Sequence, residues 1–408
     1  MGRLKVWMAV IAVLVVSACA TAPARQPGPR PMTILVSIDG FRPDYLTVKD
    51  APTLSRLAAE GVVASGGMRP SYPSLTFPNH YTLVTGKRPD HHGIVNNNMD
   101  VPVLGTFSLG KAEAVTDRRW WDQAEPLWVT AENAGIKTGT MFWPGSEAAI
   151  QGVRPTRWSK FDHDMPSAQR VDVLLGWLDE PGFTPGFATL YFDVVDTAGH
   201  GFAPGTPEVM AAVKDVDTAL SRLLDGLKAR GLDGRVNLVI VADHGMAPVP
   251  PGQVIVVDAA DPGAVKLVSG GPAAGFNLLP GQEARGEALL LKKHDHMTCW
   301  RKADVPKRLA YGTNARVPAI VCMADIGWLI SDTAGVARRP PSTKMTGAHG
   351  YDNAAIEMRA LFLAWGPGVR SGATVGTFDN VDVYVLLARL VGVTPVKGDG
   401  RLPSGVLR

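Results

Sequence analysis

The sequence predicts an α/β fold with a largely parallel central sheet flanked by helices. Three apolar runs, at 33–38, 188–192 and 236–242, lack the alternation of a half-exposed strand and are typical of strands buried on both faces of a parallel sheet. Helical patterns lie between them, at 52–60, 126–133, 169–178 and 207–230. Glycine, which accepts a left-handed backbone, follows the pattern at Gly61, Gly135 and Gly231 and marks the helix ends. Alternating strands and helices indicate an α/β core.

A second, smaller unit is predicted within this core. Residues 248–314 interrupt the alternation with short β-like runs at 270–272 and 292–296, which is typical of an inserted or capping subdomain. The core then comprises residues 32–247 and 315–408, the second part with a strand near 360–365 and a helix over 381–391.

Composition excludes several classes of protein. The chain has 408 residues, of which 46% are hydrophobic and 19% charged, which is too apolar for a disordered chain. Its 41 Lys and Arg against 38 Asp and Glu leave a formal charge of +3, without the basic stripe that nucleic-acid binding requires. Binding to a nucleic-acid polymer is therefore not expected.

The amino terminus predicts export. An apolar run over 6–16 follows Arg3 and Lys5 and is shorter than the roughly 20 residues of a bilayer span, so residues 1–18 are predicted to be a signal peptide. The small residues before Cys19 resemble a bacterial lipoprotein signal, in which Cys19 is acylated and residues 19–31 form a tether. The alternative is an ordinary signal peptide cleaved nearby. Both interpretations predict an exported, periplasmic protein. In the lipoprotein interpretation, the acylated Cys19 also tethers the protein to the membrane.

The remaining cysteines, Cys299 and Cys322, are expected to pair. Thiols oxidise in an exported protein, so we expect one disulfide between them. Two buried free thiols are the alternative.

Carboxylates follow the ends of the predicted strands. Asp39 and Asp243 come directly after two of the apolar runs, and Asp196 lies shortly after the third. Ligands of open α/β sheets bind outside the carboxyl ends of the strands, so we expect these side chains to be neighbours. Three adjacent carboxylates repel one another unless a cation holds them together.

Three histidines accompany these carboxylates. His244 follows Asp243 directly, His200 lies four residues after Asp196, and His349 lies in a glycine-flanked segment. Mixed nitrogen and oxygen ligands without cysteine favour zinc or a related transition metal over calcium or magnesium. Six such side chains suffice for a two-metal site.

Seven sequence blocks resemble, in the same order, those of the nucleotide pyrophosphatase/phosphodiesterase family of the alkaline phosphatase superfamily. They are D-G-F-R at 39–42, T-F-P-N-H at 76–80, H-G-I-V-N-N at 92–97, W-P-G-S at 143–146, D-T-A-G-H at 196–200, D-H-G-M at 243–246 and H-G-Y at 349–351. The resemblance covers most of the chain from residue 33 to about 390 and, with the lipoprotein-like signal, indicates a bacterial member of the family.

This resemblance implies an alkaline-phosphatase-like core that binds two zinc ions, with Thr76 as nucleophile. It implies that one zinc is bound by Asp196, His200 and His349, and the other by Asp39, Asp243 and His244, with Thr76 touching the second ion. A nearby cation favours the alkoxide of a threonine, which is otherwise a poor nucleophile, and attack on phosphorus gives a covalent phosphothreonine intermediate. The resemblance also implies that Asn97 donates to a nonbridging phosphate oxygen.

The family hydrolyses nucleotide phosphodiesters and pyrophosphates to nucleoside 5′-monophosphates, while relatives cleave choline phospholipids. Phe77 and Phe161 are the expected walls of a base-stacking slot, although Phe161 as an ordinary core residue is the alternative. Phe77 and the block at 143–146 favour a nucleotide substrate. Leu75 stands where many animal members have lysine, which puts affinity for highly charged substrates in doubt.

The predicted site is also compatible with other functions. The same site fits a phosphomonoesterase or a choline phospholipid phosphodiesterase, and a catalytically silent, metal-containing surface binding protein is the alternative of another class. The sequence does not indicate an oligomeric state.

Other histidines are predicted to be structural. His80 is assigned to a helix start, His91 to a turn, and the tract at 294–296 to a solvated loop, because Lys292 and Lys293 beside it repel a cation.

Overall fold

The computed structural model describes residues 30–259 and 261–408. The predicted signal peptide at 1–18, Cys19 and nearly all of the predicted tether lie outside these residues. Within the described part, no helix is both long enough and apolar enough to cross a bilayer.

Strands and helices follow one another along most of the chain. The strands, numbered in chain order, are β1 Met32–Ile38, β2 Val62–Ala64, β3 Met68–Arg69, β4 Asn98–Val101, β5 Gly105–Ser108, β6 Thr138–Met141, β7 Arg157–Trp158, β8 Phe187–Phe192, β9 Val236–Val241, β10 Ala247–Val249, β11 Val254–Val256, β12 Val265–Ser269, β13 Ala273–Leu278, β14 Met297–Arg301, β15 Ile320–Ala324, β16 Leu329–Ser331, β17 Thr346–Ala348, β18 Phe362–Trp365, β19 Ala373–Val375 and β20 Phe378–Asp379. The α-helices are α1 Pro52–Glu60, α2 Thr76–Thr85, α3 Pro89–His92, α4 Ala112–Thr116, α5 Leu127–Asn133, α6 Ser167–Leu178, α7 Val194–Phe202, α8 Pro207–Ala229, α9 Glu283–Leu290, α10 Thr333–Arg338 and α11 Val383–Val391.

The core is an eight-stranded sheet in the order β19-β2-β18-β9-β1-β8-β6-β7. Its pairs are parallel except for those of β18, which runs antiparallel to β9 and β2. β1, β8 and β9 are buried along their whole length, as their unbroken apolar runs predict. Helices flank the sheet, with α1, α6 and α7 against α8, and α2 and α5 against α11. The predicted α/β fold is confirmed.

α8 shows how the sequence pattern directs this packing. It buries Val209, Val213, Val216, Leu220, Leu223 and Leu227, which recur every three or four residues. That spacing places them on one face of an α-helix, against the core. The helix continues to Ala229, close to the predicted end.

The smaller unit is built on a four-stranded antiparallel sheet, β12-β13-β15-β14, with its own apolar cluster. It continues beyond the predicted boundary at residue 314, because β15 lies between β13 and β14 in the sheet and β16 pairs with β11. Cys299 and Cys322 face each other across β14 and β15 and form a disulfide, so the predicted pairing is confirmed.

Two short strands predicted in this unit are absent from the described residues. Residues 292–296 form bends and irregular backbone, and the strand begins only at Met297, because His296 has a left-handed backbone with φ of 64°. At 270–272 a single bridge joins Gly271 to Ile330, and Pro272 has no N–H with which to continue a ladder.

Candidate active site

The carboxyl ends of β1, β8 and β9 meet at one edge of the sheet. β1 lies between the other two and pairs with both in parallel, so the residues that follow these strands are brought together. Asp39 directly follows β1, Asp243 lies two residues past β9, and Asp196 lies in the first turn of α7, just after β8. The topology thus places three carboxylates close together although they are spread over more than two hundred residues of the sequence.

One cluster is formed by Asp196, His200 and His349. α7 places Asp196 and His200 one turn apart, with Nε2 of His200 3.4 Å from Oδ2 of Asp196. His349 directly follows β17, and its Nε2 lies 3.1 Å from Nε2 of His200 and 3.6 Å from Oδ1 of Asp196. Their potential ligand atoms lie close enough to share one cation.

A second cluster contains Asp39, Asp243 and His244. Nε2 of His244 lies 2.9 Å from Oδ2 of Asp243 and 3.4 Å from Oδ1 of Asp39. The His244 ring stacks on the His349 ring at 3.5 Å between centroids, so the two clusters adjoin. The structure therefore brings together all six predicted ligands.

The hydrogen bonds of the three imidazoles orient their free nitrogens. Nδ1 of His200, His244 and His349 each lies 2.9 Å from a backbone carbonyl, of Gly347, Gly245 and Ser74 respectively. A carbonyl only accepts, so each Nδ1 carries a proton, and Nε2 is the nitrogen that directs its lone pair into the cluster when the ring is neutral. A hydrogen bond from the second ring nitrogen commonly fixes the tautomer and the orientation of a metal-binding histidine.

The carboxylates are buried without sufficient partners of their own. Oδ1 of Asp39, Oδ1 of Asp196 and Oδ2 of Asp243 are buried and accept no hydrogen bond. Burial raises the pKa of Asp39 well above its usual range, with a further contribution from the charges of Asp243 and Asp196, and burial also raises the pKa of Asp196. Burial opposes ionisation of Asp243 too, but His244 and His80 hold its pKa well below the usual range. Buried carboxylate oxygens without hydrogen-bond partners lie here beside imidazole nitrogens. Together they form a set of oxygen and nitrogen ligands that suits divalent cations.

Thr76 lies above the second cluster. It is the first residue of α2, and its Oγ1 is 3.3 Å from Nε2 of His244. The first-turn N–H groups of a helix lack intrahelical partners and carry partial positive charge. The hydroxyl therefore stands where an anion is favoured and next to the predicted metal ligands.

Asn97 is held against the start of the same helix. Its Oδ1 accepts a 2.9 Å hydrogen bond from the backbone N–H of Phe77. Its amide nitrogen has no acceptor among the described residues and borders a cavity of about 350 Å³ that Thr76 also lines. The amide is thus a free donor beside the hydroxyl.

Both predicted aromatic residues line this cavity. Phe77 packs edge-on against Phe107, with ring centroids 5.8 Å apart. Phe161 is 42% exposed and packs against Phe142 and Tyr191 at 5.2 and 5.9 Å. Phe161 is therefore not an ordinary core residue, and the two rings border one cavity that continues to the carboxylates.

Sequence reasoning missed two residues that support the site. His80 lies inside α2 and is fully buried, with Nε2 2.8 Å from the Ser37 hydroxyl and Nδ1 2.9 Å from the Thr76 carbonyl and 3.4 Å from Oδ2 of Asp243. Both of its nitrogens are engaged, so it braces the cluster and has no free lone pair for a cation. Tyr191 donates to Oδ2 of Asp39 at 2.7 Å. The only sequence signal for Tyr191 was a phenol hydroxyl within the apolar run of β8, a run that also contains the hydroxyl of Thr189.

Three other histidines, His91, His294 and His296, lie away from the site. His91 is in α3, where Nδ1 lies 2.7 Å from Oδ2 of Asp399. His294 lies beside the Leu290 carbonyl, and His296 stacks on Trp328 at 4.1 Å. None of the three belongs to a potential metal cluster among the described residues.

Comparison with known proteins identifies the family. The model of the type I phosphodiesterase / nucleotide pyrophosphatase family matches residues 33–352. The chain belongs to this family. The predicted family resemblance is thus confirmed.

Relatives within the family come from several eukaryotes. Mouse ectonucleotide pyrophosphatase/phosphodiesterase family member 3 is 35% identical over 402 residues, and the match covers 95% of this chain but 45% of the relative, so the chain spans less than half of that protein. An uncharacterised pyrophosphatase/phosphodiesterase of Schizosaccharomyces pombe is 34% identical, with 90% of this chain and 78% of the relative covered. The solved structure of mouse ENPP5, an inactive variant in complex with AMP, superposes with a TM-score of 0.84 at 32% identity, covering 91% of this chain and 97% of that one.

Proposed function

We propose that this family member is a metal-dependent phosphodiesterase that hydrolyses nucleotide phosphodiester or pyrophosphate bonds and releases nucleoside 5′-monophosphates. The observation that carries the proposal is the 3.3 Å approach of the Thr76 hydroxyl to His244, at the edge of six clustered carboxylate and imidazole groups. The AMP bound by mouse ENPP5 supports a nucleotide as substrate.

The six side chains are proposed to hold two zinc ions. Asp196, His200 and His349 would hold one, and Asp39, Asp243 and His244 the other, with Thr76 beside the second. Their mixed nitrogen and oxygen donors support zinc over calcium or magnesium. When bound, two such cations neutralise the buried carboxylates and supply Lewis-acid stabilisation of the entering and leaving oxygens.

The chain's own groups define the reaction. Oγ1 of Thr76 attacks phosphorus, forming a phosphothreonine ester as the bond to the leaving group breaks, and water then hydrolyses that ester from the opposite side. The Asn97 amide donates to a nonbridging oxygen as charge develops there. Phe77 and Phe161 stack on the nucleobase and hold the nucleotide while the leaving group departs.

The proposal is tested by turnover of the 4-nitrophenyl ester of a nucleoside 5′-monophosphate. We expect chelation and Thr76→Ala each to abolish turnover, while Thr333→Ala, at the first residue of the exposed helix α10, serves as the matched control and leaves it unchanged. Full activity in the chelated or Thr76→Ala protein would exclude the mechanism. Faster turnover of a phosphate monoester or a choline diester would assign the other substrate class.

A binding protein without turnover gives a different result in the same assay. The metal-loaded wild-type chain would then release no nitrophenol, although nucleoside monophosphates would still raise its melting temperature.

We further propose that the chain is exported to a bacterial periplasm and tethered through a lipid on Cys19. The apolar run at 6–16 and the small residues before Cys19 support this. Mass spectrometry of the mature protein tests it, because an acylated Cys19 at the amino terminus is expected and an intact residue 1 contradicts it.

A further inference from the structure

A short loop after β7 carries Phe161 and His163 to the wall of the active-site cavity. Its backbone is held from two sides. The fully buried Arg170 donates from Nε to the Met165 carbonyl at 2.9 Å and from Nη2 to the His163 carbonyl at 3.2 Å. Glu147 accepts from the N–H of Phe161 at 3.0 Å. The loop is therefore a fixed platform for its two rings.

The His163 imidazole has one nitrogen engaged and one free. Nδ1 lies 2.5 Å from Oδ2 of Asp193, whose other oxygen lies 2.7 Å from Nη1 of Arg170. Asp193 is 7% exposed, whereas the His163 side chain is 59% exposed. Since an ionised carboxylate only accepts, Nδ1 carries the proton and Nε2 has no partner among the described residues. This fixes the orientation of an imidazole that no predicted step uses.

His163 lines the cavity together with residues of both its phosphate end and its aromatic end. Asp193, its partner, comes three residues before Asp196 at the phosphate end. Phe161, at the aromatic end, comes two residues before His163. In a nucleoside monophosphate the ribose joins phosphate to base, so a nucleotide that spans the two ends of the cavity would place its sugar near this imidazole.

We propose that Nε2 of His163 hydrogen-bonds a ribose hydroxyl of the bound nucleotide. This inference rests on the proposed nucleotide substrate and adds a specificity-determining contact to it. A hydroxyl both donates and accepts, so it suits Nε2 in either protonation state. Asp193 acts as the positioning residue, because it holds the ring through Nδ1.

The test is the affinity of the metal-loaded full chain for AMP, 2′-deoxy-AMP, 3′-deoxy-AMP and inorganic phosphate, measured by calorimetry for the wild type and for His163→Ala. We expect the wild type to bind AMP about 3- to 10-fold more tightly than at least one deoxy analogue, the range of one neutral hydrogen bond. His163→Ala should lose that preference and leave phosphate affinity unchanged. His91→Ala is the matched control, because His91 is 54% exposed and also pairs with an aspartate, Asp399, away from the cavity.

Several results would overturn the inference. These are equal wild-type affinities for all three nucleotides, a preference that survives in His163→Ala, an equal loss for AMP and both deoxy analogues, or an equal loss of phosphate affinity. If no nucleotide binds the wild type, the proposed function itself fails, which is a distinguishable outcome.

Discussion

The hydroxyl of Tyr191 donates a 2.7 Å hydrogen bond to Oδ2 of Asp39. Both side chains are buried, and the bond occupies one of the two carboxylate oxygens. The other oxygen, Oδ1, accepts no hydrogen bond and lies 3.4 Å from Nε2 of His244. Tyr191 therefore selects which oxygen Asp39 presents to the cluster.

Tyr191→Phe should weaken metal binding at the second cluster. Loss of the hydroxyl frees Asp39 to rotate and removes a hydrogen bond that orients it, and such changes cost about 10- to 100-fold in metal affinity. Competition with a zinc chelator measures the effect. Tyr72→Phe is the control, because the Tyr72 hydroxyl is buried without a partner. Equal affinities in the two variants would contradict this role of Tyr191.

His200→Ala should reduce the metal content from two ions to about one per chain. His200 belongs to the first cluster alone, and its side chain is 39% exposed, so its removal leaves the core intact. A site that loses one of its three protein ligands binds zinc poorly. Elemental analysis after dialysis gives the stoichiometry, with His296→Ala as the control. Two retained ions, or the loss of both, would contradict separate sites.

Acid should destabilise the fold through His92. Burial lowers its pKa to about 3, so the folded chain keeps this ring neutral while the unfolded chain takes up a proton below about pH 6.5. Stability is therefore lost as the pH falls from about 6.5, by about 2 kcal/mol at pH 5. Urea unfolding in the presence of chelator measures this effect. Between pH 7 and pH 5, the free energy of unfolding of His92→Asn should fall less than that of the wild type, by this amount. An unchanged drop would refute the assignment.

Asp90→Asn should destabilise the docking of the smaller unit on the core. The buried Asp90 carboxylate accepts from the N–H groups of Gly312, Thr313 and Asn314 at 2.8 to 3.0 Å. In the variant, the NH₂ group of the asparagine faces these backbone N–H groups, so two donors meet and at least one hydrogen bond is lost. We expect this to lower the free energy of unfolding by about 2–4 kcal/mol. Asp258→Asn is the control, because Asp258 is only half-buried and accepts from the N–H of a single residue, Thr333. Equal unfolding curves for the two variants would contradict the prediction.

The sequence predicted the features that depend on local pattern. β1, β8 and β9 were recognisable because a strand buried on both faces has to be apolar throughout. The grouping of Asp39 and Asp243 followed from the general rule on the carboxyl ends of parallel strands. Thr76 and Asn97, in contrast, were singled out by family resemblance.

Features that depend on tertiary contacts were not predictable. The continuation of the small antiparallel sheet beyond residue 314 could not be predicted from local pattern, because only the pairing of β15 with β13 and β14 shows where that sheet ends. His80 looked structural because its distance to Asp243, 163 positions away, is set by the packing of α2 on the sheet. The pairing of His163 with Asp193 likewise joins two loops that no periodicity connects.

The most direct test of the central claim is mass spectrometry of the enzyme quenched in acid during the first turnover of a nucleotide diester. We predict a nucleotidyl ester on the peptide that contains Thr76, absent from the Thr76→Ala variant. Continued turnover with no adduct, or an adduct on another residue, would contradict attack by Thr76.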